Sequence, residues 1–262
     1  MNPERSHIYL ASDMHFGSPN EAASLVRERH FVAWLDSIKP TAKELYLVGD
    51  LFDFWFEYRQ VVPRGYVRFL GKLAEFVDDG IPVHYFPGNH DLWFGNYLQD
   101  QVGAIYHPEP LVTELFGRKF YLAHGDGLGP GDHGYKLMKR VFTNPLCKWL
   151  FRILHPDLGI GLAYFLSRKS RNYTQMEGQH YFGEKEWLRT HSKEVLQSQP
   201  DITAFIYGHR HLAIQEQIAE NAEMVYLGDW ITLFSYLEVT EEGNELKFLP
   251  RKEKITTELS RS

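Results

Sequence analysis

Leu45-Tyr46-Leu47-Val48-Gly49-Asp50 is a short β-type run that ends on a glycine and a carboxylate, and the same pattern recurs along the chain. Ile8-Tyr9-Leu10-Ala11-Ser12 leads into Asp13, Val83-His84-Tyr85-Phe86 into Pro87-Gly88-Asn89-His90, and Phe120-Tyr121-Leu122-Ala123 into His124-Gly125-Asp126. Thr203-Ala204-Phe205-Ile206-Tyr207 leads into Gly208-His209, and Met224-Val225-Tyr226-Leu227 into Gly228-Asp229-Trp230. Between the first runs, residues 21–38 place Ala22, Leu25, Val26, Phe31, Trp34, Leu35 and Ile38 at roughly helical spacing. Residues 64–79 form a second expected helix, with Pro63 suited to its first turn and Gly80 to its end. Strand, helix, strand, helix, strand predicts right-handed βαβ units and an α/β fold. In such sheets functional groups gather beyond the carboxyl ends of the strands. Six strand ends finishing in polar residues or glycine therefore point to one shared site.

Beyond residue 200 the pattern changes to strands with short turns, at 202–207, 213–218, 224–227, 234–239 and 245–249, which reads as a second, more antiparallel sheet. Residues 128–200 interrupt the scheme and read as mostly helical. The expected organisation is a core of residues 1–127 and 201–262 with a helical cap inserted at 128–200. From about Arg251 the chain is polar and is expected to fray.

With 262 residues and 44% hydrophobic content, the chain can bury one large core. A formal net charge of −6 argues against a protein that grips a nucleic-acid backbone, so no nucleic-acid partner is expected. Cys147 is the one cysteine, which excludes an intramolecular disulfide and reads as a small apolar filler. The segment Met1-Asn2-Pro3-Glu4-Arg5-Ser6-His7 leads into an apolar run too short for a signal peptide or membrane span. The expectation is a cytoplasmic protein with room for contact with a membrane from the side.

Asp13-x-His15 and His209-x-His211 each place two donors on one side of an extended segment. Asp50 follows Gly49 at a strand end, where a carboxylate can bridge two cations; Asn89 adds an amide oxygen and His124 an imidazole. The set has nitrogen and oxygen donors and no thiolate, which suits Mn²⁺, Fe or Zn²⁺. Two such metals about 3.5–4 Å apart can activate water and hold both oxygens of an in-line displacement at phosphorus. A lone histidine is more often structural, and an isolated D-x-H is usually coincidence. Five of the 13 histidines fall inside strand-end motifs, however, and that concentration favours a site.

The order Asp13/His15, Gly49-Asp50-Leu51-Phe52-Asp53, Gly88-Asn89-His90-Asp91, His124-Gly125-Asp126 and Gly208-His209-Arg210-His211 resembles the calcineurin-like metallophosphoesterases. The resemblance spans residues 8 to 230 and implies a four-layer α/β/β/α sandwich with two divalent metals. It further implies that one metal takes Asp13, His15, Asp50 and His211, and the other Asp50, Asn89, His124 and His209, with Asp50 bridging. His90 is then a non-ligand that stabilises charge on the phosphoryl group or protonates the leaving oxygen. Asp91 either holds the His90 tautomer or serves as a loop cap.

Within that superfamily the chain looks most like the bacterial UDP-2,3-diacylglucosamine hydrolases of lipid A synthesis. The carriers are overall length, the His124-Gly125-Asp126 segment, the insertion before Gly208, and Leu227-Gly228-Asp229-Trp230. The implied substrate is a lipid-linked UDP-sugar, cleaved to UMP and 2,3-diacylglucosamine 1-phosphate at the cytoplasmic face of an inner membrane. The commonest members carry Arg where this chain has His90. Other readings are a phosphodiesterase or phosphatase acting on soluble nucleotides or phosphoproteins, and a metal-binding scaffold without catalysis. The scaffold has no need for the complete donor set plus His90.

The insertion combines Leu146, Trp149, Leu150, Ile153, Leu158 and Phe165 with Lys136, Lys139, Arg140, Lys148 and Arg152. Such a stripe is either a cap packing its apolar face inward or a basic amphipathic element for a membrane or lipid. Inserted directly after His124, it is expected to overhang the metals and form an apolar acyl groove. Asn89 and the cap residues Arg168, Lys169, Ser170 and Arg171 are the candidates for substrate phosphates or sugar. Phe52-Asp53-Phe54-Trp55-Phe56-Glu57-Tyr58 reads either as a wall of the substrate site or as core beneath the loop.

Overall fold

The computed structural model describes residues 5–129, 133–174 and 180–250. Its elements run β1 (His7–Ala11), α1 (Glu21–Ile38), β2 (Ala42–Val48), α2 (Val67–Asp78), β3 (Val83–Phe86), β4 (Ile105–Tyr106), β5 (Leu111–Leu115) and β6 (Arg118–Ala123). There follow α3 (His133–Phe142), α4 (Pro145–Ile153), α5 (Pro156–Thr174) and α6 (Trp187–Ser198). The chain continues as β7 (Ile202–Tyr207), β8 (Ala213–Ala219), β9 (Ala222–Leu227), β10 (Ser235–Val239) and β11 (Asn244–Phe248). The polar tail from Arg251 lies outside the described residues.

Period-two alternation sorts the strand residues into three cores. Ile8, Leu10, Tyr46 and Val48 join Phe120, Leu122, Val225 and Leu227 in a core between two sheets. Tyr9, Ala11, Leu45 and Leu47 face the opposite way and pack with Phe31, Trp34 and Leu35 of α1 and Phe69, Leu73 and Phe76 of α2. On the other flank, Phe205, Tyr207, Met224 and Tyr226 pack with Leu188 of α6. Helices, sheet, sheet and helix give the four-layer α/β/β/α sandwich. Of the helices between residues 128 and 200, α6 is thus an outer layer, whereas α3–α5 lie over the loops at the strand ends.

The first sheet has the order β11-β10-β1-β2-β3-β4 and the second β5-β6-β7-β9-β8. β1 through β4 are mutually parallel, and β6, β7 and β9 are parallel in the second sheet. The expected second, more antiparallel sheet built from the last strands is corrected: β7–β9 join β5 and β6, whereas β10 and β11 extend the first sheet, β10 antiparallel to β1 and β11 antiparallel to β10. Leu237 and Val239 of β10 explain the split, because they continue the apolar surface of Ile8 and Leu10 into the inter-sheet core.

Helix α1 begins where Asn20 accepts from the Ala23 N–H at 2.9 Å. Helix α2 starts later than the sequence suggested, at Val67, so Pro63 stays in the preceding loop. Its start is fixed from outside: the buried Glu28 carboxylate of α1 accepts the N–H groups of Arg68 and Phe69 at 2.9 and 3.1 Å. Gly80, at φ +75°, ends it as expected. Among the described residues no helix is long and apolar enough to cross a membrane.

Candidate metal centre

Seven donor residues meet at the carboxyl ends of both sheets. His15 Nε2 lies 3.6 Å from Asp13 Oδ1, 3.5 Å from Asp50 Oδ2 and 3.3 Å from His211 Nε2. His211 Nε2 is 3.5 Å from Asp13 Oδ1. On the other side of Asp50, His124 Nε2 is 3.4 Å from Asp50 Oδ2 and 3.3 Å from Asn89 Oδ1, which is 2.8 Å from His209 Nδ1. Two groups of donors therefore lie on either side of Asp50. Spacings of 3.3–3.6 Å match donors arranged around cations at ordinary bond lengths of about 2.0–2.2 Å. Asp13 Oδ1 supports the same fit: it is buried without a hydrogen-bond partner, which is costly unless a cation faces it. The residues present suit divalent metals.

Backbone geometry shows why the motifs need these spacings. Eight non-glycine residues among those described have positive φ, and five are Asp13, His15, Asp50, His209 and His211. Each left-handed residue costs about 1–2 kcal/mol, so the strain collects where the donors are aimed. The expectation that Asp13 and His15 share a face of an extended segment is corrected, because β1 ends at Ala11 and both donors lie in tight left-handed turns. Gly88 and Gly208 permit close approach. A Cβ at Gly88 would sit 2.1 Å from Asp50 Oδ1, and one at Gly208 would sit 2.0 Å from Ser12 Oγ.

A ring of partners orients the donors. His124 Nδ1–H donates to the Val48 carbonyl at 2.9 Å, leaving the Nε2 lone pair for a cation. His211 Nδ1 faces Asp229 Oδ2 at 3.3 Å, and Asp229 also accepts the backbone N–H groups of Ile231, Thr232 and Leu233. Asp13 Oδ2 accepts from the His209 N–H at 2.9 Å and from Ser12 Oγ. Sequence reading gave Asp229 no role, although it ends a strand in the same glycine-carboxylate pattern as Asp50.

His90 stands beside the cluster, its ring edge-on to His15 at 4.8 Å. His90 Nδ1 is 3.3 Å from the Asp53 carbonyl and 3.6 Å from its carboxylate, which are acceptors only, so Nδ1 carries the proton. Ser167 of α5 donates to Asp53 Oδ1 at 3.0 Å and lies 3.2 Å from His90 Nδ1. The expectation that Asp91 holds the His90 tautomer is corrected. Asp91 instead accepts the N–H groups of Leu51, Phe52 and Gly88, tying two motif loops together, and Asp53 takes the place beside His90.

Burial opposes the charge on Asp50, but His124, His90 and His15 outweigh it and hold the carboxyl well below its usual range. Burial likewise opposes protonation of His124, yet Asp50 and Asp13 push its pKa up to about 10. Burial and then the His124 charge bring His209 down to about 4. His211 is raised, with Asp13 and Asp229 overcoming burial. At neutral pH the metal-free centre therefore carries a proton on His124 that a cation must displace. Loading at pH 7 should release about one proton from His124, and affinity should rise about tenfold per pH unit up to the region of pH 10. Calorimetry in buffers of different ionisation enthalpy measures this, and a binding heat independent of buffer would contradict it.

The helices α3–α5 meet the centre through aromatic and polar contacts. Phe151 packs 4.7 Å from Phe56 and 4.8 Å from Trp93, and Trp93 Nε1 donates to the Phe142 carbonyl at 2.6 Å. Lys139 pairs with the buried Asp126 at 2.6 Å. An open groove of about 270 Å³ remains, walled by Phe54, Trp93, Phe151, Leu162 and Leu166, with Asn89 and His90 also on its wall. The run from Phe52 thus divides: Phe52 and Trp55 belong to the core, while Phe54 and Trp55 also border the groove. Arg168, Lys169, Ser170 and Arg171 belong to the last turns of α5, and their side chains lie outside the described residues.

An α/β/β/α sandwich with nitrogen and oxygen donors clustered at its strand ends defines a metal-dependent phosphoester hydrolase. The calcineurin-like phosphoesterase family model matches residues 6–213, and the chain belongs to that family. It is 43% identical to a UDP-2,3-diacylglucosamine hydrolase of Porphyromonas gingivalis over 88% of this chain and 93% of that protein. A second UDP-2,3-diacylglucosamine hydrolase, from Actinobacillus succinogenes, is 29% identical over 89% of this chain and 96% of its own length. Among solved structures, a dimetal phosphatase from Danio rerio covers 94% of this chain and 96% of its own at 14% identity, with a TM-score of 0.46.

Proposed function

We propose that this chain hydrolyses the pyrophosphate of UDP-2,3-diacylglucosamine to UMP and 2,3-diacylglucosamine 1-phosphate, with two divalent metals of the Mn²⁺ type. Fe and Zn²⁺ suit the same donors. The observation that carries the substrate is the apolar groove of about 270 Å³ opening beside Asn89 and His90. A site for soluble nucleotides or phosphoproteins has no need of such a groove, and the names of the two relatives support the lipid reading.

Asp13, His15, Asp50 and His211 would hold one metal, and Asp50, Asn89, His124 and His209 the other. When bound, the pair supplies an activated water and neutralises charge on the phosphoryl oxygens. His90, fixed at Nδ1 by Asp53, presents Nε2 to stabilise the developing charge or to protonate the leaving oxygen. Helices α3–α5 act as the cap, with α6 remaining in the sandwich. Phe54, Trp93 and Phe151 enclose acyl chain and keep water from it, while Arg168, Lys169, Ser170 and Arg171 contribute polar contacts to the head group.

Acyl length tests the substrate. Each buried CH₂ contributes roughly 0.8 kcal/mol, so kcat/KM should climb about fourfold per methylene until the groove is full. Substituting Leu162→Gln or Leu166→Gln should flatten that rise and spare a small phosphodiester. A profile independent of acyl length would leave the soluble-substrate reading in its place.

The outer surface of the cap suits peripheral contact with a membrane. Leu146, Trp149, Leu150 and Ile153 are all more than half exposed, beside the cations Lys148 and Arg152. Trp149→Glu together with Leu150→Glu should abolish sedimentation with anionic vesicles at unchanged turnover of a small phosphodiester. Equal sedimentation of variant and parent would remove the membrane assignment.

A further inference from the structure

Helix α5 separates two spaces. Leu162, Leu166 and Ser167 border the apolar groove, whereas Ile160, Gly161 and Tyr164 border a second cleft of about 830 Å³, on the side of α1 and the loop before α2. Both spaces reach Asp53, whose Oδ1 lies 3.9 Å from His15 Nδ1 and 3.6 Å from His90 Nδ1. The two spaces therefore share one side chain beside the metal centre, on opposite sides of one helix. A substrate joined through a diphosphate also has two dissimilar arms.

The lining of the cleft differs from that of the groove. Pro63, Tyr66 and Tyr164 supply flat apolar walls, with the two phenol oxygens 2.9 Å apart. Around them stand both signs of charge: Arg64 pairs with Glu21 at 3.2 Å, and Asp157 and Arg68 also face the space. The carboxylates of Glu21, Glu28, Asp53 and Asp157 outnumber the guanidinium groups of Arg64 and Arg68 on this lining, so the cleft has little attraction for an additional phosphate. Its carboxylates can accept from hydroxyls, its guanidinium groups can donate to carbonyls, and its walls can cover a ring face. The volume falls in the ordinary range for small-ligand sites, about 300–1,000 Å³. These features suit an uncharged, planar, hydroxyl-bearing group.

We infer that the cleft between α1, the 63–66 loop with the start of α2, and α5 receives the nucleoside of a nucleoside diphosphate substrate, while the acyl arm occupies the groove across α5. The inference rests on the function proposed above for the identity of the two arms. Gly161 allows the cleft to be filled cleanly: a Cβ there meets nothing within 4 Å, and replacing a mid-helix glycine favours the helix.

The test compares UMP with inorganic phosphate as ligands of the Mn²⁺-loaded protein, by calorimetry. The parent should bind UMP at least about tenfold more tightly than phosphate. Gly161→Phe, and independently Leu25→Trp on α1, should bring UMP to within about threefold of phosphate and leave phosphate itself unchanged. A parent that binds UMP no more tightly than phosphate overturns the inference. So do two folded variants that keep the parental preference. The substrate reading fails separately: if UDP-2,3-diacylglucosamine is not cleaved while the UMP preference is present and lost in both variants, the nucleoside cleft stands without it.

Discussion

Asp50→Asn is expected to lower turnover by roughly 10³-fold or more while the protein stays folded. Asp50 stands between the two halves of the donor cluster, 3.5 Å from His15 Nε2 and 3.4 Å from His124 Nε2. Asparagine keeps the shape and retains an oxygen for the His90 N–H, which Asp50 Oδ1 now accepts at 2.9 Å. What disappears is the charge between two cations, so both sites weaken together. Metal content, thermal melting and rate should be measured on the same preparation. A variant with two tightly bound metals and a near-parental rate would refute the bridging role.

His90→Ala should lower kcat by about 10²–10³ with metal content unchanged, if the imidazole, edge-on to His15 at 4.8 Å, acts on the phosphoryl group as proposed. His90→Arg should retain more activity than alanine if charge stabilisation outweighs proton donation. The surroundings sharpen the expectation: Asp53 and Ser167 hold Nδ1, so the imidazole arrives already oriented. An alanine variant with unchanged kcat would reduce His90 to a packing residue.

Much of the centre was legible because its residues punctuate strands. A β-type run that stops on Gly-Asp or Gly-His marks a carboxyl end, and parallel strands bring such ends together whatever their separation in sequence. Asp13, Asp50 and His209 could be placed on that ground. What escaped was set by contacts with no local signature. The hydrogen bonds of Asp91 depend on where the 49–53 and 88–91 loops cross, so the sequence could not separate an orienting role from a loop tie. Strand β10 looks like its neighbours in sequence, and only the apolar surface left open beside β1 assigns it to the first sheet. The cap shows a third kind of gap. Its apolar residues were visible, but α3–α5 turn several of them outward, and a helical period alone does not say which face meets the core.

The donors come from both ends of the chain, with the carboxylate of Asp13 and the backbone N–H of His209 joined across 196 positions. A ribosome adding about 5–20 residues per second would leave Asp13 and His15 waiting roughly ten to forty seconds for His209 and His211. Until then the nascent chain lacks His209 and His211, so each half of the donor cluster is missing a member. Metal selection is thereby postponed until the second sheet has closed on the first.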